Sequence, residues 1–520
     1  MRTKIFAAFL LCVACSCAAY AEDYAEGEAL AVFRPSEGIR ASVEVIGASV
    51  SDTYEALSQA GGNVFMRVKS STKTTEELIA ELKQMPGVIA ASPNRIHRMP
   101  FTAGKVTPND KYYGNLWGMK RIKAPEAWTE STGSDSVYVA VIDSGVYPHP
   151  DLRANIAEDL GMFAWSQDTV GHGTHVAGTI GAIGNNGEGV AGINWKVKII
   201  PINVADTQGD VDDNRVVSAL NYIVQLIQNG TNIAAVNMSF GGYHSTTPEQ
   251  VKDDPYYMAY KVFDDLNKAL LVVAAGNEGL EVGVPAPFTY PERLMRLKGM
   301  SEPMFSRGDY YYPASFTGIN NMIVVGATDS DNDAPGFTSW GSSVDIAAPG
   351  ARIFSTYTPL AEDDDGHTGH MYASLDGTSM AAPHVTGAVA LLKAKFPQVS
   401  VSDIRNAIIS GADKKINPTV YPYSNQISEL DEDDEFDAML IEALDEALEP
   451  YQALNGKGKV SSSGLLNIKE AMDILTLQTG QTGTGNRDDV GNSSSGGCSL
   501  SLCGMALAAV FALMSCRKRG

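Results

Sequence analysis

Five short runs of nearly uninterrupted apolar residues, Val137 to Ile142, Val197 to Val204, Ala234 to Met238, Leu270 to Ala275 and Met322 to Ala327, are separated by stretches long enough to hold helices. A strand with one face in water alternates apolar with polar residues, whereas a strand apolar at nearly every position is buried on both faces. Such runs alternating with helices predict an α/β fold: a doubly wound, mainly parallel sheet over residues 105–476. In such sheets functional groups collect just past the carboxyl ends of the strands.

A smaller unit precedes this region. Residues 22–104 read as strand (Ala29 to Phe33), helix (about 51–60), strand (Val64 to Val68), helix (75–85) and strand (Val88 to Ala91), a small α+β domain. Thr74 and Glu77 have the spacing of a capping box for the second helix, and Leu78, Leu82 and Met85 then recur on one face. Residues 1–21 carry Arg2 and Lys4, an apolar run from Ile5 to Val13, and the closing Ala19-Tyr20-Ala21, the pattern of an export signal. The run is too short for a bilayer core of about 30 Å, so a spanning helix is disfavoured.

All six cysteines lie at the ends: Cys12, Cys15 and Cys17 in the signal, and Cys498, Cys503 and Cys516 in the tail. An exported body without cysteine must be held by a large core or by bound metal ions. No Leu stands three residues before Cys15 or Cys17, which favours ordinary signal cleavage over lipid attachment there. The net charge of −22 excludes nucleic acid as a partner, because phosphate affinity comes from Lys and Arg. Residues 280–310, rich in Pro, Met and Arg, read as an insertion that could shape a cleft. The stretch 429–449, with eleven Asp or Glu and no Lys or Arg, reads as a solvated acidic loop. Residues 477–497 form a Gly/Thr/Asn/Ser linker, and 498–520 an apolar tail that ends in Arg517-Lys518-Arg519.

Four glycine-punctuated segments carry chemistry. Asp143 ends the first buried strand and is followed by Ser144-Gly145; alone, such an acid serves a turn as readily as a reaction. Gly171-His172-Gly173-Thr174-His175 places His172 at a helix entry, with His175 read as packed. Metal binding by the two histidines is the rival reading, but no Glu stands beside them in a zinc-helix spacing. Gly377-Thr378-Ser379 opens a long Ala-rich helix running to about Lys395, where Ser379 is either a cap or a nucleophile beside free amides. Pro383 is expected to be tolerated as part of the first turn. Ala274-Ala275-Gly276-Asn277 follows another buried strand, and its Asn is either a turn former or an oxyanion donor.

In the order Asp143, His172, Asn277, Ser379, these segments resemble the Asp, His, Asn and Ser boxes of the subtilisin family from about Asn109 to Met472. The chain order itself is that of subtilisin and is borrowed from it. The resemblance implies that Ser379 attacks a peptide carbonyl, His172 carries the proton, Asp143 holds the imidazole, and Asn277 with the Ser379 amide binds the oxyanion. It further implies substrate walls at Ser239, Phe240 and Gly241 and at Ala274, Ala275 and Gly276, where a peptide lies as an added strand, with Phe240 lining an apolar subsite. Asp151 with Gly184, Asn186, Glu188 and Val190 resembles the family's calcium loop, oxygen ligands suited to structural Ca²⁺, although a Gly/Asn loop can be only a turn.

The same resemblance makes residues 22–104 a propeptide that assists and inhibits the following domain, released by a cut near 97–108 where no dibasic pair stands. Gly496-Gly497-Cys498 and the apolar, basic-ended tail resemble a bacterial C-terminal sorting signal; a short membrane anchor is the other reading, and both lead to a cell envelope. The function expected is a secreted, self-maturing serine endopeptidase acting on protein or peptide substrates. Its rival is a catalytically silent relative that binds peptides or scaffolds a surface complex.

Overall fold

The computed structural model describes residues 24–36, 38–95, 104–206, 209–287, 289–290, 303–361, 369, 371–420 and 458–479. The export signal, the acidic stretch 429–449, the linker beyond 479 and the C-terminal tail lie outside the described residues, as does part of the expected cleavage region. The chain divides into two compact units, residues 1–481 and 482–520, the second wholly outside the described residues.

The N-terminal portion is an antiparallel sheet with helices on it: β1 Tyr24–Phe33, α1 Ile39–Val45, β2 Ser49–Thr53, α2 Glu55–Gly61, β3 Val64–Lys69, α3 Thr75–Gln84 and β4 Val88–Arg95, with strand order β2-β3-β1-β4. Its core joins Ala29, Ala31 and Phe33 of β1 to Val43 of α1 and Leu78 and Leu82 of α3. Both halves of the Thr74–Glu77 capping box are made, at 3.0 and 3.2 Å. The helix expected over 51–60 is corrected. Residues 49–53 form the edge strand β2 against β3, and the helix is confined to 55–61 before Gly62 turns left-handed at φ 67°. Ser-Val-Ser-Asp-Thr suits a half-buried sheet edge better than a helix, and α2 buries no residue that could have enforced a longer one.

The larger sheet has six strands: β5 Gly133–Asp143, β6 Lys196–Asn203, β7 Ile233–Met238, β8 Leu270–Ala274, β9 Met322–Thr328 and β10 Ile346–Pro349. The order is β10-β9-β8-β7-β5-β6 and every pair is parallel. Along β5, Val137, Val139 and Val141 enter one core while Ala140 and Ile142 enter the other, which is why the run is apolar at successive positions. The first core also takes α4 His172–Gly181, α7 Thr378–Lys395, α8 Val401–Ser410 and α9 Ile468–Thr479; the second takes α5 Asp213–Gln228 and α6 Pro255–Leu266. Helices thus cover both faces. α9 runs three residues past the expected end of this region at 476.

β10 was not anticipated: Ile-Ala-Ala-Pro is too short to show a period, and its proline is accommodated because the strand lies at the sheet edge. Helix α7 is buried from Thr378 to Leu392, on all sides, as its Ala-rich and almost uncharged sequence requires. Because β5 lies between β6 and β7, the winding direction reverses there, and a crevice opens past its carboxyl end. Asp143 is the last residue of β5, Ser239 follows β7, and Ala275 to Asn277 follow β8, so all face one rim.

Candidate active site

Asp143 Oδ1 accepts a 2.7 Å hydrogen bond from His172 Nδ1 and a 2.8 Å bond from the Ser144 amide. Because Nδ1 faces a carboxylate, it carries the proton, and Nε2 is left as the basic nitrogen. His172 is the first residue of α4, preceded by Gly171 at φ 86°, a left-handed cap that glycine adopts without strain. Gly173 leaves no room for a side chain: a Cβ would lie 2.0 Å from the Gly145 carbonyl oxygen and 3.1 Å from Asp143 Cβ. The imidazole therefore packs directly over the end of β5, with 29% of its side chain still exposed.

Asp168, fully buried, was not singled out from sequence. Its Oδ1 accepts from the amides of Val170 and Gly171 and from Ser144 Oγ (2.9 Å), and its Oδ2 accepts from the amide and hydroxyl of Thr174. The carboxylate thus binds free amides at the start of α4, where the helix dipole favours negative charge, and reaches Asp143 through Ser144. Burial pushes the Asp168 pKa up, against these hydrogen bonds. For His172, burial acts to lower the pKa, but the charge of Asp143, its hydrogen bond and the charge of Asp168 together raise it. An acid four residues before a helix-opening histidine was the available signal. His175 is packed as expected, its Nε2 donating to the Ile353 carbonyl at 2.8 Å, and burial lowers its pKa to about 3.

Ser379 is the second residue of α7, and its hydroxyl donates to the Ser239 carbonyl at 3.0 Å, not to His172. The expectation for Pro383 is corrected: it is the sixth residue of the helix, past the first turn. A proline there removes the N–H that would bond the carbonyl four residues earlier, which is that of Ser379. Ser239 Oγ supplies the replacement donor at 2.8 Å, and is itself held by Asn237 Nδ2 at 2.9 Å, whose Oδ1 accepts from Thr386 at 2.8 Å. Ser239 therefore holds the Ser379 backbone with its side chain and the Ser379 hydroxyl with its carbonyl.

Asn277 Oδ1 accepts from the Thr378 amide at 2.8 Å and from the Thr378 hydroxyl at 3.0 Å. A backbone N–H can only donate, so the atom facing it is the oxygen, and Nδ2 is turned the other way. Nδ2 and the Ser379 amide flank the same space, lying 3.4 and 3.5 Å from where a Cβ on Gly377 would stand. The Ser379 amide has no intrahelical partner at this position, so both donors are free for an oxygen. Gly377, at φ 144° and ψ 158°, keeps that space open in a conformation that essentially only glycine adopts.

Of the expected walls, Phe240 is half-buried against the second core and Gly241 is exposed, while Ala274 and Ala275 are buried. The Ala275 amide bonds the Val325 carbonyl; the Gly276 amide bonds Thr378 Oγ1, and its carbonyl accepts from the Ser339 amide. These backbone groups are taken within the protein, and the Ser239 carbonyl accepts from the Ser379 hydroxyl.

At the expected calcium loop, Asp151 Oδ1 accepts from Asn186 Nδ2 (2.7 Å) and Oδ2 from the Val190 amide (2.8 Å). Asp110, missed in the sequence, accepts from the Asn185 amide at 2.7 Å. Both carboxylates are buried, and neither pairs with Lys or Arg among the described residues; burial, reinforced by the Asp110 charge, pushes the Asp151 pKa up to about 6. Among the described residues no three His, Cys, Asp or Glu side chains gather as a metal-holding cluster; the two carboxylates and the Asn186 amide around this loop are oxygen-bearing groups of the kind Ca²⁺ takes. Asn186 Oδ1 accepts from the Glu188 amide, Glu188 is exposed, and Gly184 packs on Trp195. Gly189 is required to be glycine, because a Cβ there would lie 2.1 Å from Asp151 Oδ2.

A carboxylate-held imidazole, a serine at a helix start and two N–H donors facing one space are the parts from which a serine hydrolase performs acyl transfer. The subtilase family pattern matches residues 134–433, more than half of the chain. The chain is 34% identical to subtilisin Savinase of Lederbergia lenta over 294 residues, 56% of this chain and 88% of that protein. It is 33% identical to thermitase of Thermoactinomyces vulgaris over 314 residues, 59% of this chain and 92% of that protein. Among solved structures, a protease from Pseudoalteromonas arctica superposes with a TM-score of 0.49 at 24% identity, covering 71% of this chain and 99% of that one. The chain belongs to the subtilase family and is a subtilisin-type serine endopeptidase.

Proposed function

We propose that this chain is a secreted, self-maturing endopeptidase in which Ser379 is the nucleophile, His172 the general base and acid, and Asp143 the group that fixes the imidazole and stabilises its cation. The observation that supports the reading is the 2.7 Å His172–Asp143 pair at the end of β5, next to β7, whose following residue Ser239 accepts from the Ser379 hydroxyl. Substrate binding turns Ser379 Oγ from the Ser239 carbonyl to His172 Nε2, since such bonds often form only in the bound complex. His172 takes the hydroxyl proton as Oγ attacks the carbonyl carbon, and the carbonyl oxygen gains its charge between Asn277 and the Ser379 amide. The proton then passes to the leaving amine, and water repeats the sequence on the acyl-enzyme.

Residues 22–104 act as propeptide, supported by the separate core of that portion. Asp151 and Asp110, with Asn186 and carbonyls of loop 184–190, hold a structural Ca²⁺ that neutralises the two buried carboxylates. Export rests on the residue 1–21 pattern, and envelope retention on the tail at 498–520, through a membrane or a sorting enzyme. The test is Ser379→Ala expressed alone in a protease-deficient host. Self-maturation requires that this variant keep the 22–104 segment while wild type loses it; normal processing of the variant would refute it.

A further inference from the structure

We infer that Tyr311 sets specificity in this enzyme: its ring closes the slot beside the reacting carbonyl, so that the peptides cut carry Gly, Ala or Ser immediately before the scissile bond. The inference rests on the reading of Ser379 as nucleophile.

The two segments flanking Ser379 are bridged by one side chain. Gly241 stands two residues beyond Ser239, whose carbonyl holds Ser379 Oγ, and Gly276 directly precedes Asn277. A Cβ on Gly241 would lie 2.5 Å from Cζ and 2.6 Å from the hydroxyl oxygen of Tyr311, and a Cβ on Gly276 would lie 3.2 Å from Tyr311 Cε1. The ring fits because both walls are glycine at its points of contact. A peptide whose carbonyl oxygen lies between Asn277 Nδ2 and the Ser379 amide has its α-carbon one bond, about 1.5 Å, from that carbonyl carbon. Its side chain must then enter between these same two segments, where the ring stands.

The ring is held in place. Residues 310–312 pair antiparallel with 242–244, with Tyr311 opposite Tyr243. The two rings are 5.1 Å apart at 60°. Tyr243 donates its hydroxyl to Glu278 Oε2 at 3.2 Å, and the same oxygen accepts from the Asn277 amide at 2.9 Å. Moving the ring out of the slot therefore disturbs a clamp that reaches the oxyanion donor itself. Burial, with the charge of Glu278, keeps the Tyr311 phenol neutral by raising its pKa, so the ring itself presents a rigid, uncharged face to the slot.

The test is a panel of fluorogenic peptides identical except at the residue before the scissile bond, hydrolysed by the enzyme matured from the full chain. The expected kcat/KM for Ala, Gly and Ser exceeds that for Leu and Phe by about tenfold or more, the scale on which pockets discriminate size. Tyr311→Gly should raise the Phe-to-Ala ratio at least about tenfold, whereas Tyr311→Phe, which keeps the ring, should preserve the small-residue preference. Wild-type enzyme that cuts after Phe as well as after Ala overturns the inference without need of any variant, and so does an unchanged ratio in a folded Tyr311→Gly. Hydrolysis with the wrong preference refutes only the role of Tyr311. Absence of all hydrolysis, together with no labelling of Ser379 by a fluorophosphonate, refutes the nucleophile assignment and the inference with it.

Discussion

Replacing Asn277 with Ala removes two different things, and the structure separates them. Nδ2 faces the space beside the Ser379 amide, so its loss removes a donor to charge that exists only in the transition state. The expected fall in kcat is about 10²–10³-fold, or about 2.7–4 kcal/mol, a range that comes from subtilisin itself and is carried over here. KM should change little, because the ground-state carbonyl makes weak use of the donor. Oδ1 has the other role: it caps the buried start of α7 by accepting from the Thr378 amide and hydroxyl. The hydroxyl keeps the Gly276 carbonyl as an alternative acceptor at 3.2 Å, but the amide is left without one, which costs about 1–3 kcal/mol. Asn277 is exposed, so entering water should hold that cost near the lower end. Asn277→Asp keeps the acceptor and replaces the donor with a negative charge, so it should recover stability but not rate. Steady-state hydrolysis of one peptide gives kcat and KM, and urea unfolding of the same substitutions on a Ser379→Ala background gives stability without autolysis. A near-wild-type kcat for Asn277→Ala, or recovery of rate by Asn277→Asp, would refute the reasoning.

Three further predictions follow from the described contacts. Ser239→Ala should destabilise by about 1–3 kcal/mol by leaving the Ser379 carbonyl without a donor, and Pro383→Ala should restore the intrahelical N–H, so that a double-mutant cycle in urea shows coupling near 1 kcal/mol; strictly additive losses would contradict it. Burial acts to lower the His172 pKa, but the charge and hydrogen bond of Asp143 and the charge of Asp168 raise it, so the neutral base is lost as pH falls through a value above that of a free imidazole. Asp168→Asn should therefore shift the acid limb of the kcat/KM profile to lower pH, and an unmoved limb would exclude Asp168 from the electrostatics of the site. Exhaustive chelation should lower Tm, since a cation held at one hundred times its Kd contributes about 2.7 kcal/mol; an unchanged Tm would remove calcium from Asp151 and Asp110.

The central strands were legible because each is buried on both faces and so leaves an unbroken apolar run, as in Val137 to Ile142. β10 was not, since four residues at an edge carry no period, and β2 was read as helix because its pairing with β3 is a long-range fact. At the site, glycines mark the segments of Asp143, His172, Asn277 and Ser379 in the sequence, and the backbone needs them at Gly171 and Gly377. The bonds of Ser239 and the packing of Tyr311 leave no such mark, because they depend on partners far off in sequence: Ser239 on Ser379, 140 residues away, and Tyr311 on Gly241. Asp168 lay close to His172, yet its function emerges only when Ser144 of β5's exit loop is brought beside it.

The claim that Ser379 is the nucleophile of a peptidase is tested most directly by treating the mature enzyme with a fluorophosphonate and locating the adduct by mass spectrometry. The account predicts one adduct per chain, on Ser379, forming in step with loss of peptide hydrolysis and strongly slowed in His172→Ala. Undiminished hydrolysis by fully treated enzyme, or stoichiometric modification of another serine with Ser379 untouched, would contradict it.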